Sequence, residues 1–105
     1  MIYWIKSLFK SRRKAEKQNY EHFYKKFCDF LSCHNAKLIS FKYFHEYFGS
    51  MILQFEYEGK SYTCEYEKGQ ISLNNKLMNE GAFCHPSESA DQMICIMKVA
   101  VFNLG

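Results

Sequence analysis

Residues 51–73 read MILQFEYEGKSYTCEYEKGQISL, and the alternation of apolar and polar side chains along that stretch decides the fold. Met51, Leu53, Phe55 and Tyr57 share one parity; after Gly59 the apolar set becomes Tyr62, Cys64 and Tyr66, and after Gly69 it becomes Ile71 and Leu73. Successive strand side chains point to opposite faces, so this is an antiparallel meander with one buried and one wet face. Glu58-Gly59-Lys60 and Lys68-Gly69-Gln70 supply its tight turns.

Working outward towards the N-terminus, residues 37–48 are β-prone, with Ile39, Phe41 and Tyr43 on one face and Ser40 and Lys42 on the other. Phe44, Tyr47 and Phe48 then place rings at both parities, which predicts a bulge, a bend or a covered outer face near His45. Gly49-Ser50 turns the chain into the meander, so the economical count is four antiparallel strands, the last ending near Asn74-Asn75. Residues 76–86 read as a loop that closes at Pro86.

Helical periods flank the strands. Tyr20, Phe23, Tyr24, Phe27 and Leu31 recur at helical spacing opposite Glu16, Lys17, Glu21, Lys25 and Asp29, predicting a helix over residues 15–32. Ser32, His34 and Asn35 mark its exit, because Asn tolerates the left-handed conformation that ends helices. Ser89 followed by Gln92 fits a capping box, and Met93, Ile94, Met97, Ala100, Val101 and Leu104 continue at helical spacing. A helix there is preferred to the competing strand through Ile94, Ile96 and Val99 to Val101. The fold class is therefore α+β, a two-layer sandwich in which a four-stranded antiparallel meander is covered by an N-terminal and a C-terminal helix, in the order α-β-β-β-β-α. Residues 1–14 are set apart as an amphipathic, basic segment, and residues 15–105 form a single domain.

Composition bounds the function. The chain has 105 residues, of which 48% are hydrophobic and 18% aromatic, so its core is built largely from rings. Five Cys at irregular spacing, with no secretory pattern, point to a reducing cytosol, with peripheral membrane contact as a further option. The longest apolar run, Met93 to Met97, falls far short of the roughly 20 residues that span a bilayer. The net charge of +3 is unevenly placed: residues 1–27 hold eight Lys or Arg against two Glu, so the remainder of the chain is acidic.

No stretch carries a catalytic or cofactor motif, and the expectation is a protein that is not an enzyme and needs no cofactor or metal. Cys28, Cys33, His34, Cys84 and His85 are the plausible ligand set, but their spacing is not that of a zinc module. Core packing suits Cys28, Cys64 and Cys95 better, and Cys84-His85 reads as an exposed loop pair. Glu56, Glu58, Glu65 and Glu67 fall on the polar parity and are expected to share the outer sheet face, where carboxylates suit a basic partner better than a catalytic pair.

The sequence thus favours a small protein-binding module of immunity, inhibitor, adaptor or chaperone type. It would meet its partner through Phe44, Phe48, Glu56, Glu58, Glu65 and Glu67, with a homo-oligomer as a further option. The alternative is a membrane-surface or nucleic-acid-associated protein contacting through Trp4, Lys10, Arg12, Arg13 and Lys14, where an apolar cluster precedes a basic run. Sequence-specific nucleic-acid readout does not follow, because no RNP-type run is present.

Overall fold

The computed structural model describes residues 2–44 and 49–103, with side chains described from Lys17 onward. Helix α1 (Ile2–Cys33) is followed by strands β1 (Lys37–Phe44), β2 (Ser50–Tyr57), β3 (Lys60–Glu67), β4 (Gln70–Leu73) and β5 (Lys76–Leu77). A 3-10 turn, Pro86–Glu88, leads into helix α2 (Ser89–Ala100). All strand pairings are antiparallel and sequential, giving one open sheet of order β1-β2-β3-β4-β5. The α+β sandwich and its element order are as the sequence predicts. The sheet gains one short strand, because Asn74-Asn75 forms a hairpin turn rather than a strand end.

The turns explain why the meander closes so tightly. Glu58-Gly59, Lys68-Gly69 and Asn74-Asn75 each have positive φ at both residues, the type I′ geometry whose twist matches that of paired strands. At Gly69, whose φ is +81°, a Cβ would also stand 2.3 Å from the exposed Phe83 ring and displace it.

The predicted parity is the observed one along residues 51–73, but Ile39, expected to face inward with Phe41 and Tyr43, is 51% exposed, because the β1–β2 register shifts between Leu38 and Ser40. Met51, Leu53, Phe55, Cys64 and Ile71 are fully buried on the inner face, with Phe41, Tyr66 and Leu73 nearly so. The register aligns them in rows, Phe41 with Leu53, Leu53 with Cys64 and Cys64 with Leu73. Phe27 and Leu31 of α1 and Met93 and Met97 of α2 cover this face, and burial of each such side chain is worth about 1.5–3 kcal/mol. Lys26 and Asp91 form an ion pair between the two helices. Both side chains are solvated, which limits the pair to about 1 kcal/mol.

Helix ends show where local chemistry overrides a simple pattern. α1 leaves through Asn35 at φ 57, with Ala36 N–H donating to Leu31 C=O (2.9 Å) and Asn35 N–H to Ser32 C=O (3.3 Å), a Schellman arrangement. α1 also begins thirteen residues earlier than the core periodicity indicates, running unbroken from Ile2. At α2 the capping box does not form: Glu88 occupies the N-cap position without a side-chain cap, and buried Ser89 donates to the Pro86 carbonyl at 2.7 Å. The 3-10 turn takes over the entry, with His85 Nδ1 accepting from Ser87 N–H at 3.2 Å.

The loop after β5 is clamped to the sheet by one side chain. Asn79 Oδ1 accepts from Ile71 N–H (2.8 Å), while its Nδ2 donates to the carbonyls of Gly69 (2.9 Å) and Ala82 (3.3 Å). Tyr66 completes the clamp by donating its buried hydroxyl to the Cys84 carbonyl at 2.8 Å. Replacing Asn79 by Ala strands at least one part-buried backbone group, so equilibrium urea denaturation is expected to show a loss of about 1–3 kcal/mol. Asn74→Ala loses an exposed turn bond to Thr63 N–H and also puts Ala at positive φ, so it too should lower stability.

Candidate functional site

The outer sheet face is organised in rows by the strand register. Lys42, Ile52, Glu65 and Ser72 form one row, and Phe44 pairs with Ser50 beside Glu67 and Gln70 in the next. Further along the strands, Ser40 donates to Gln54 at 2.6 Å beside Thr63, and Glu56 pairs with Ser61 and Lys37 at the far end.

Three of the predicted contact residues come together. Phe44, Glu65 and Glu67 line an open groove of about 280 Å³ with Ser50 and Ile52, and Met51 and Tyr66 complete its lining. Glu56 and Glu58 do not join them. Glu56 lies four residues along the strand from the Ile52–Glu65 row, or about 13 Å away. Glu58 is removed from the face, because its positive φ puts it in the β2–β3 turn, beside Tyr57. Burial, with Glu58 second, raises the Tyr57 pKa. Phe48, like His45, lies outside the described residues.

Ile52 and Ser50 were not singled out by the sequence. The available signal was Ile52 itself, an apolar residue at a polar parity position, opposite Lys42 on one side and Glu65 on the other. Ser50 is buried, at 8% exposure, on a face that a meander leaves to water. The groove therefore joins an apolar floor to two carboxylates, and among the described residues neither Glu65 nor Glu67 is ion-paired.

The Cys and His residues are dispersed. Cys64 is buried in the core and Cys84 nearly so, which corrects the reading of Cys84 as an exposed loop residue; its N–H is bonded to the Gly69 carbonyl. Cys95, expected in the core, is exposed, as is Cys33, and Cys28 is half-buried. α2 turns Met93 and Met97 inward, which leaves Cys95 on its other side, lining an apolar hollow of about 340 Å³ with Met78, Ile96, Val99 and Ala100. His34 is stacked on Phe102, with ring centroids 4.6 Å apart, and His85 caps the 3-10 turn. Among the described residues no group of three His, Cys, Asp or Glu side chains is placed to hold a metal ion.

Trp4, Lys10, Arg12, Arg13 and Lys14 all fall within α1, in the part whose side chains lie outside the described residues. Among the described residues no helix is long and apolar enough to cross a membrane. No protein family, curated protein or solved structure matches this chain.

Desolvation sets the thiol chemistry. Burial, with a smaller contribution from Glu65, pushes the Cys64 thiol from 9.0 up to about 12, and burial followed by Glu88 raises Cys84. The native state therefore retains the Cys64 proton after the unfolded chain has lost it, so stability present below pH 9 falls as pH rises towards 12. The expected slope from Cys64 is up to about 1.4 kcal/mol per pH unit, measured by urea denaturation at increasing pH. Cys64→Ala should flatten that slope. In the native protein, a thiol reagent at neutral pH should label Cys33 and Cys95 well before Cys64 and Cys84.

Proposed function

We propose that this domain is a non-enzymatic protein-binding module whose outer sheet groove receives an Arg or Lys side chain from a partner. The observation that carries this reading is the pairing of the Phe44–Ile52 floor with the Glu65 and Glu67 carboxylates in one groove. A long basic side chain has the complementary two parts, an apolar stem that packs and a cationic head that donates to a carboxylate. At about 280 Å³ the groove is smaller than most small-molecule sites, but it is large enough for one such side chain.

Acyl-transfer or redox chemistry would draw on thiols and imidazoles. The buried thiols are held protonated, and His34 and His85 are engaged in stacking and capping. An inhibitor, immunity or adaptor role uses such a surface without chemistry of its own. The odd Cys count supports a reducing compartment for that role.

The test is a titration of isotopically labelled protein with the capped tripeptide Leu-Arg-Leu, followed by NMR. Shift changes are expected at Phe44, Ser50, Ile52, Glu65 and Glu67, and Leu-Gln-Leu should leave them unmoved. Glu65→Gln with Glu67→Gln removes two charge-assisted acceptors and should weaken the response at least tenfold, while leaving the melting temperature nearly unchanged. Shift changes that avoid the groove, or persist in the double variant, would reject the reading.

A further inference from the structure

We propose that the N-terminal half of α1, residues 2–17, lies on the surface of an anionic membrane. This contact uses a different element from the groove and stands whether or not the groove takes a basic side chain.

The first argument is geometric. A helix of 32 residues is about 48 Å long, whereas the eight-residue strands it lies against span about 27 Å, so α1 overruns the sheet. Burial shows which end does so. Leu31 and Phe27 are 1% and 0% exposed, but Tyr24 and Tyr20 are 40% and 38% exposed, although Tyr20 still touches Phe41 with centroids 5.4 Å apart. The helix is already leaving the domain at Tyr20.

The second argument is the pattern on the overrunning half. Ile2, Ile5, Leu8 and Phe9 recur at i, i+3, i+6 and i+7, one side of a helix. Lys6, Lys10, Arg13, Lys14 and Lys17 recur at i, i+4, i+7, i+8 and i+11, another side, with Arg12 the exception. From Ser11 to Asn19 the only apolar residue is Ala15, so the first apolar cluster is separate from the stripe that begins at Tyr20 and enters the core.

Charge identifies the occupant. The first acidic residue is Glu16, and none stands in the first turn, so the positive end of the helix dipole adds to the basic residues instead of being offset. An apolar side to enter the acyl boundary and a basic side to meet anionic headgroups are the two components of interfacial helix binding. Nucleic acid would use the basic residues and leave Ile2, Ile5, Leu8 and Phe9 without a role.

Trp4 is the chain's single Trp and lies within the apolar cluster, so its fluorescence reports on this segment alone. The full chain is mixed with phosphatidylcholine vesicles with and without phosphatidylserine, and emission and co-sedimentation are read at low and high salt. The expected result is a blue shift and sedimentation with the anionic vesicles, both reduced by salt. Lys10→Gln with Lys14→Gln should weaken partition by about fivefold per charge, and Ile5→Ser with Leu8→Ser by more than tenfold per residue. Both double variants should keep the wild-type melting temperature.

Four results overturn the proposal. The first is no shift with anionic vesicles, or an equal shift with neutral ones. The second is a shift that grows with protein concentration in the absence of vesicles, which marks a second copy as the occupant. The third is vesicle binding unchanged in the apolar variant while single-stranded DNA binding falls in the charge variant. The fourth is a melting temperature lowered as by a core substitution, which would place the segment against the domain.

Discussion

One desolvated sheet face organises the domain. Met51, Leu53, Phe55, Cys64 and Ile71 have no exposed surface, and an apolar face of that extent is unstable in water unless covered along its width. α1 and α2 cover it from opposite ends of the chain, and each helix owes its own stability to that docking more than to propensity. The rings of Phe30, His34, Tyr57 and Phe102 close one end of the sandwich, while Phe23, Phe41 and Tyr43 occupy the other. With the inner face committed to packing, the contacts proposed above use the outer face and the N-terminal part of α1.

How much of this was legible follows from how each feature is encoded. Parity along residues 51–73 reads cleanly, because only one face of an antiparallel sheet is buried and each tight turn resets the phase. β5 was not legible by the same rule, since Lys76 and Leu77 are both exposed and too few to alternate; the Asn-Asn dipeptide was its only signal. The capping box at Ser89 failed because Pro86 favours a 3-10 turn, and that turn places the Ser89 hydroxyl against a carbonyl instead of an amide. Burial of a lone Cys depends on which way its helix faces, as at Cys95, or on how its loop is bonded to the sheet, as at Cys84, and residue type reveals neither.

The groove was half legible for a related reason. Parity placed Glu65 and Glu67 on the outer face, but it could not say that Glu58 turns away with the type I′ bend or that Glu56 lies several residues distant. It gave no weight to Ile52, whose importance comes from the strand register bringing Glu65 beside it. The register also puts the groove at the Phe44–Ser50 end of the sheet, and Tyr20 and Phe23 of α1 pack on Phe41 and Tyr43 of β1, the strand that leads into that end. The groove and this part of α1 lie on opposite layers of the same strand.

The strictly sequential pairing of the five strands bears on how the chain reaches this state. Each hairpin closes a loop of a few residues, so the sheet is a structure of low contact order, assembled from neighbours with little loop-closure entropy at any step. The contact between α1 and α2 is of the opposite kind, joining residues as far apart as Lys26 and Asp91. Local zippering therefore builds the apolar face before the long-range closure that shields it, and the interval between the two is when this domain is most open to aggregation.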